Sequence, residues 1–388
     1  MKTRKITSLF LVLLLVFSAA APFVYAEDAG AAEYKNVIIM IGDGMGENHL
    51  ELAKEQGYEL FMEDAADERG QSETRSFSHK VTDSAAGATA LSCGVRNING
   101  QVCVYAFDPL GFLVRPKIIT EAAIEHGMKT GVVTSDKTTG ATPAGFSVHA
   151  KSRDDSELIT ERQLASDLDL IWGAAVDCTD KETVEASGFT YISTKSEMDA
   201  LGPGSRSFGQ FSSDTWRTEL PEGDESPLLA EMTVKAIELL DAGDGGFLLM
   251  VEGAHIDKNS HRTDGDVYHW DEKAADTANA VKGFDDAIKA AVGFAREDGE
   301  TLVVVTADHE TGDLYEEDGV YTFHSGSHTG KNVPLLVYCC DDLIPNGEAV
   351  PNKSVPVRIA GKLGWSKLDF PRSDVGLAFQ WLKKLFRS

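Results

Sequence analysis

The sequence predicts an α/β fold in which a central, mostly parallel sheet is flanked by helices on both faces. Apolar, β-rich runs recur at residues 37–41, 130–134, 247–251, 302–306 and 333–338. Runs without polar alternation suit strands buried on both faces, the usual condition of parallel strands. Helical periodicity lies between them, clearest over 228–240 and 272–294, as expected of helices covering such a sheet. Polar residues also collect where the runs stop: Gly42-Asp43-Gly44, Glu252-Gly253 and Ala307-Asp308-His309. Ligands of open α/β sheets gather at these carboxyl ends.

The first run, 37–41, is preceded by a segment of different character. Lys2, Arg4 and Lys5 come before an apolar stretch over 9–16, and Val24-Tyr25-Ala26 supplies the small residues that signal peptidase requires. Residues 1–26 are therefore expected to be an export signal, leaving a chain from Glu27 to residue 388 that works in the periplasm, at the cell surface or outside the cell. That chain is long enough for one large α/β domain or two ordinary ones. Acids outnumber bases by 62 to 36, a formal net charge of -26, which repels nucleic acid and anionic lipid.

Five cysteines allow a disulfide or two in an oxidising compartment. On loop length alone the first expected pair is Cys93 with Cys103. Cys339 and Cys340, in an apolar stretch, read at least as well as buried free thiols. The absence of a C-x-x-C pair argues against a zinc ribbon. Between residues 188 and 226 the composition shifts to Gly, Ser, Pro and acids, which predicts an irregular insertion over the core. The apolar and basic tail over 374–388 reads as a terminal helix docked on its own domain, with contact to a membrane surface as the alternative.

Candidate metal ligands form the strongest chemical signal. Asp257 and His261 stand four apart, so one helical turn brings both side chains to one point. Asp308 and His309 lie at a strand end, and His328 sits in the small-residue loop Gly326-Ser327-His328-Thr329-Gly330. Carboxylates mixed with imidazoles suit Zn²⁺, whereas the all-oxygen set Asp43, Thr142 and Glu252 suits Mg²⁺. Taken singly, each cluster reads as a helix cap or a surface pair. Together, at the ends of successive strands, they point to a metal centre.

Ser84 follows Val81-Thr82-Asp83 and opens the small-residue run Ala85-Ala86-Gly87-Ala88-Thr89, the expected start of a helix. Such a start offers unpaired N–H groups and a positive dipole end to a phosphate. Taken by itself, the stretch also fits Asp83 or Ser84 as a plain N-cap.

Six ordered segments resemble the motifs of the alkaline phosphatase family. They are residues 36–46, Asp83-Ser84, Ala141-Thr142-Pro143-Ala144 with Ser152-Arg153, Val251-Glu252-Gly253 with Asp257-Lys258 and His261, Thr306-Ala307-Asp308-His309-Glu310-Thr311-Gly312, and His328-Thr329-Gly330. The resemblance implies a single catalytic domain over 27–388 that hydrolyses phosphate monoesters through a phosphoserine at Ser84. It implies one zinc on Asp257, His261 and His328, a second on Asp43, Asp308 and His309, and Mg²⁺ on Asp43, Thr142 and Glu252. Arg153 would clamp two phosphate oxygens, Lys258 would reach phosphate through water, and the protein would be a homodimer. Gly140 departs from the family, where well-known relatives carry Asp or His near the magnesium site.

Four alternatives fare worse. A sulfatase of the same superfamily would need x-Pro-x-Arg after its nucleophile, but Ser84 is followed by Ala85-Ala86-Gly87-Ala88; a diesterase would need room where Arg153 claims two free oxygens. A Ser-His-Asp hydrolase would need a G-x-S-x-G elbow, which is absent. A phosphate- or metal-binding protein without turnover predicts a damaged nucleophile or ligand, and none of the inferred ones is altered.

Overall fold

A computed structural model describes residues 31–107, 112–261, 270–344, 349–366 and 369–370. The expected export signal at 1–26 and the expected terminal helix at 374–388 lie outside them. The strands of the main sheet are β1 (Asn36–Gly42), β2 (Glu68–Glu73), β3 (Lys129–Lys137), β4 (Leu170–Ala174), β5 (Thr190–Ile192), β6 (Ser207–Phe211), β7 (Phe247–Gly253), β8 (Thr301–Thr306), β9 (Val333–Tyr338) and β10 (Val350–Pro351). They lie in the order β10-β2-β9-β8-β1-β7-β3-β4-β6-β5. Every adjacent pair is parallel except those made by β9, which runs against both β8 and β2.

All seven residues of β1 are buried, and their alternation divides the core in two. Ile38 and Met40 join a cluster with Met232, Val281, Phe284 and Ile288 from helices on one face. Val37, Ile39 and Ile41 join another with Ile119, Ala122, Val355 and Ile359 on the opposite face. This two-sided burial is why the strand reads as an unbroken apolar run. The helix Trp270–Asp298 contains the predicted 272–294 segment, and Leu229–Leu240 matches the other.

Asn36 fixes the start of the central strands. Its amide nitrogen donates to Thr301 Oγ1 at 3.1 Å, and its Oδ1 accepts from the Phe247 N–H at 3.1 Å. From that start, Ile41 is paired with both Glu252 and Thr306, and Glu252 in turn with Thr134. The residues just beyond these positions therefore emerge at one level of the sheet edge.

Two expectations need correction. The 188–226 segment is not irregular throughout: Thr190–Ile192 and Ser207–Phe211 are the last two strands at one end of the main sheet, with the short helix Lys195–Asp199 between them. These strands are brief and interrupted by polar residues and Gly209, so they lack an apolar run. Cys93 and Cys103 are not joined; all five cysteines are free. The two thiols nonetheless adjoin, each 3.6 Å from Ser92 Oγ, and the Cys103 thiol also meets the Gly145 carbonyl at 3.1 Å. Cys340 is buried and Cys339 half-buried, in keeping with free thiols there. No helix among the described residues is long and apolar enough to cross a membrane.

Asp285, on the long helix and fully buried, accepts from the N–H groups of Phe61 and Met62 at 3.0 and 2.7 Å. Asp285→Ala strands both donors and should lower the unfolding free energy by about 1–3 kcal/mol for each. Urea unfolding at fixed metal concentration measures the loss.

Candidate metal centre and nucleophile

The sheet register sets the first layer of the site. Asp43 follows β1 directly, and its N–H donates to the Gly253 carbonyl at 3.2 Å. Gly44 then turns back with φ +73°, and a Cβ there would stand 2.8 Å from the Asp257 Cα. Only glycine combines this conformation with so close an approach. Asp308 leaves β8 fully buried, its Oδ1 accepting from the Gly44 and His309 N–H groups at 3.2 and 3.0 Å.

Two groups of donors result, each with its ligand atoms within 4.8 Å of one another: Asp257, His261 and His328; and Asp43, Asp308 and His309. In the first, His261 Nε2 lies 2.9 Å from His328 Nε2 and 3.2 Å from Asp257 Oδ1. In the second, His309 Nε2 lies 3.3 Å from Asp308 Oδ2 and 3.6 Å from Asp43 Oδ1. The His309 and His328 rings stack at 3.6 Å between centroids, so the two groups adjoin.

The outer nitrogens of these rings set their tautomers. His261 Nδ1–H donates to the Gly326 carbonyl at 2.7 Å and His328 Nδ1–H to the Thr82 carbonyl at 3.0 Å. Thr311 donates its hydroxyl proton to Asp257 Oδ1, so its oxygen receives His309 Nδ1–H at 3.2 Å. Each Nε2 lone pair is thereby aimed inward, the arrangement of metal-binding histidines. Thr311 thus orients two candidate ligands, although only its place in the Asp308-His309-Glu310-Thr311-Gly312 run pointed to it. Pairing of Glu310 with Thr329 and of Thr311 with His328 brings the last histidine back to the site.

Ser84 is the first residue of the buried helix Ser84–Cys93, whose N-cap Asp83 accepts from the Ala86 N–H at 3.0 Å. Both readings of this stretch hold together: Asp83 caps, and Ser84 Oγ faces His309 Nε2 at 3.2 Å. Small residues let the helix come this close. A Cβ on Gly87 would lie 2.8 Å from the Asp308 Cβ. The second Asp83 oxygen receives the Gly100 N–H at 2.8 Å and lies 3.4 Å from Arg153 Nη1, holding the guanidinium near the helix start.

Thr142 is fully buried and faces Glu252, though its hydroxyl makes no hydrogen bond. Glu252 accepts instead from the Thr134 hydroxyl. Lys258, half-exposed, pairs with Asp136. Gly140 precedes the short helix Ala141–Gly145 with an ordinary φ of -51°.

Burial strains the charges at this sheet edge. It pushes the Asp43 carboxyl well up, reinforced by Asp308, and raises Asp308 to about 7, reinforced by Asp257. It raises Glu252 to about 8 against the Thr134 hydrogen bond, with Asp136 and Asp308 adding to the rise. Burial would raise Asp257 too, but the His261 ring beside it and the other imidazoles hold its carboxyl well below the usual range. Burial lowers His309 and His328, whereas the Asp257 hydrogen bond raises His261.

Comparison with known proteins gives this arrangement its context. The family model described as "Alkaline phosphatase" matches residues 34–169 and 160–339. Alkaline phosphatase 3 of Bacillus subtilis is 32% identical over 314 residues, covering 76% of this chain and 65% of its own length. The chain thus spans just under two-thirds of that relative. The Escherichia coli alkaline phosphatase is 30% identical over 342 residues, with 71% of this chain and 70% of the relative covered. Among solved structures, the alkaline phosphatase of the Antarctic bacterium TAB5 superposes with a TM-score of 0.70 at 29% identity, over 86% of this chain and 99% of that one. With the family model matching over most of its length and the Escherichia coli enzyme 30% identical over 71% of it, this chain belongs to the alkaline phosphatase family.

Proposed function

We propose that the protein hydrolyses phosphate monoesters outside the cytoplasm through a phosphoserine at Ser84, with two zinc ions and a third, magnesium-type cation. The observation that carries this reading is the 3.2 Å approach of Ser84 Oγ to His309 Nε2, at a helix start that adjoins both donor groups. The donors fit cations. Asp43 Oδ1 and Asp308 Oδ2 are buried without hydrogen-bond partners, and the imidazole lone pairs converge on the same space. Zinc would be held by Asp257, His261 and His328, and by Asp43, Asp308 and His309; Asp43, Thr142 and Glu252 would hold the third ion. A histidine-to-aspartate variant of the TAB5 enzyme is described with Mg in its M3 site.

Zinc ions so held supply positive charge that lowers the pKa of a nearby hydroxyl or water and offsets charge on the ester oxygens. The chain's own residues do the rest. Arg153, steadied by Asp83, presents a planar fork that matches two phosphate oxygens. The helix start beneath Ser84 favours the phosphate dianion. Ser84 Oγ attacks phosphorus, the ester P–O bond breaks, and the alcohol leaves. Water then cleaves the Ser84 phosphoester, returning the serine and releasing inorganic phosphate. Lys258 lies one residue from Asp257 and contributes positive charge at the mouth. The export signal over 1–26 supports the location, and the family resemblance supports a homodimer.

Hydrolysis of p-nitrophenyl phosphate tests the reading. Ser84→Ala should reduce the rate by about 10³-fold or more while zinc content stays the same. Acid-quenched wild type should carry phosphate on Ser84 by mass spectrometry. Equal rates in the two proteins would reject the serine route, and no turnover in either would favour a binding protein. Chelation should abolish turnover, and added Zn²⁺ should restore it.

The raised carboxyls also give a pH signature. A carboxyl with a folded pKa near 7 to 8, against about 4 when unfolded, gives a stability that is fully present below the unfolded value, falls as pH rises between the two values, and levels off above the folded one. His309 and His328, shifted downward, act in the opposite sense only up to about pH 7.5, where unfolded histidine becomes neutral, and His261, shifted upward, adds to the loss. Chelated protein should therefore lose melting temperature as pH rises from about 5 to 8 and level off above, whereas zinc-loaded protein, with cations in place of those protons, should lose much less. Parallel melting curves across this range would contradict the assignment.

A further inference from the structure

Gly140 leaves the third group one side chain short, and the fold brings a carboxylate to that place from another turn. Asp136 lies near the end of β3, two residues past Thr134, whose hydroxyl donates to Glu252. Its N–H donates to Thr134 Oγ1 at 2.9 Å. Asp136 Oδ2 lies 3.2 Å from where a Cβ on Gly140 would be, so it fills the space beside the missing side chain. Asp136 Oδ1 takes the Lys258 ammonium. The Asp136 charge is felt at Glu252, and the fully buried Thr142 hydroxyl, without a hydrogen-bond partner, faces Glu252 from the adjoining turn. An all-oxygen set of this kind suits a hard divalent cation such as Mg²⁺.

We propose that Asp136 stands in for the side chain missing at Gly140, supporting a divalent cation with Thr142 and Glu252, and that Lys258 competes with the cation for the same carboxylate. This rests on the proposed three-cation reading. The competition follows from charge. Lys258 is 45% exposed and Asp136 18% exposed, and an ion pair in contact with solvent contributes little, so a dication at Glu252 is able to draw the carboxylate away. Asp136 is thus a positioning residue whose two oxygens serve opposite tendencies. An ion pair that merely braces the fold would make loss of either partner act in the same direction.

The test uses the zinc-loaded full chain, titrated with Mg²⁺ by calorimetry, with bound magnesium counted by elemental analysis after dialysis. Asp136→Asn should weaken Mg²⁺ binding by about 10- to 100-fold, and Lys258→Ala should tighten it. Asp136→Ala with Gly140→Asp, which removes the 3.2 Å contact, leaves a 3.0 Å approach to the Lys137 carbonyl for the backbone to absorb, and returns a carboxylate from the neighbouring turn, should recover part of the loss. An unchanged isotherm for Asp136→Asn, or shifts of the same sign in both single variants, would overturn the proposal. Should Asp136→Asn fold poorly, Lys258→Ala decides alone: unchanged or weaker Mg²⁺ binding refutes competition. Wild type that takes up zinc and cleaves the ester but binds no Mg²⁺ refutes this inference only. Wild type that takes up no zinc refutes the reading beneath it.

Discussion

The buried carboxylates Asp43, Glu252, Asp257 and Asp308 must share one edge of the sheet, and this crowding governs the rest of the structure. Each would be stable alone in water; together in a medium of low polarity they oppose one another's ionisation. The chain tolerates them because the three central strands are fixed in register from the Asn36 end and because backbone N–H groups hold Asp308. Flexible loops would let the carboxylates part. The rigid strands keep them close, so the free energy of crowding remains available to favour any cation that enters.

The nucleophile depends on the same economy of space. Ser84 reaches His309 only because its helix carries Ala, Gly, Ser and Thr toward the core and packs at glycine distance against Asp308. Side-chain bulk, rather than helix propensity, sets where the hydroxyl stands. Asp83 joins the two requirements, capping the helix with one oxygen while the other holds the Gly100 loop and faces Arg153.

The central strands were legible in the sequence because burial on both faces leaves an unbroken apolar run, and their ends marked where Asp43, Glu252 and Asp308 would emerge. The strands toward the two ends of the sheet were not. Glu68–Glu73 is mostly polar and Ser207–Phe211 is broken by Gly209, so neither carries a periodic signal. Residue types and spacing indicated the pairs Asp257 with His261 and Asp308 with His309, the family resemblance added His328 and Asp43 to them, and the residues that orient these ligands are tertiary partners. Asp136 meets Lys258 across 122 positions and Thr311 meets Asp257 across 54, relations without a local pattern. Loop length did bring Cys93 and Cys103 together, but as free thiols rather than a joined pair.

Pairing of Thr311 with His328 closes the base of an excursion that includes the hairpin Leu314–Glu317 and Val320–Phe323. Much of that hairpin is exposed, while its base fixes the orientation of three candidate ligands. The outer part is consequently a place where evolution can lengthen, trim or rebuild the protein's surface, altering what approaches the mouth while the inner chemistry stays where it was.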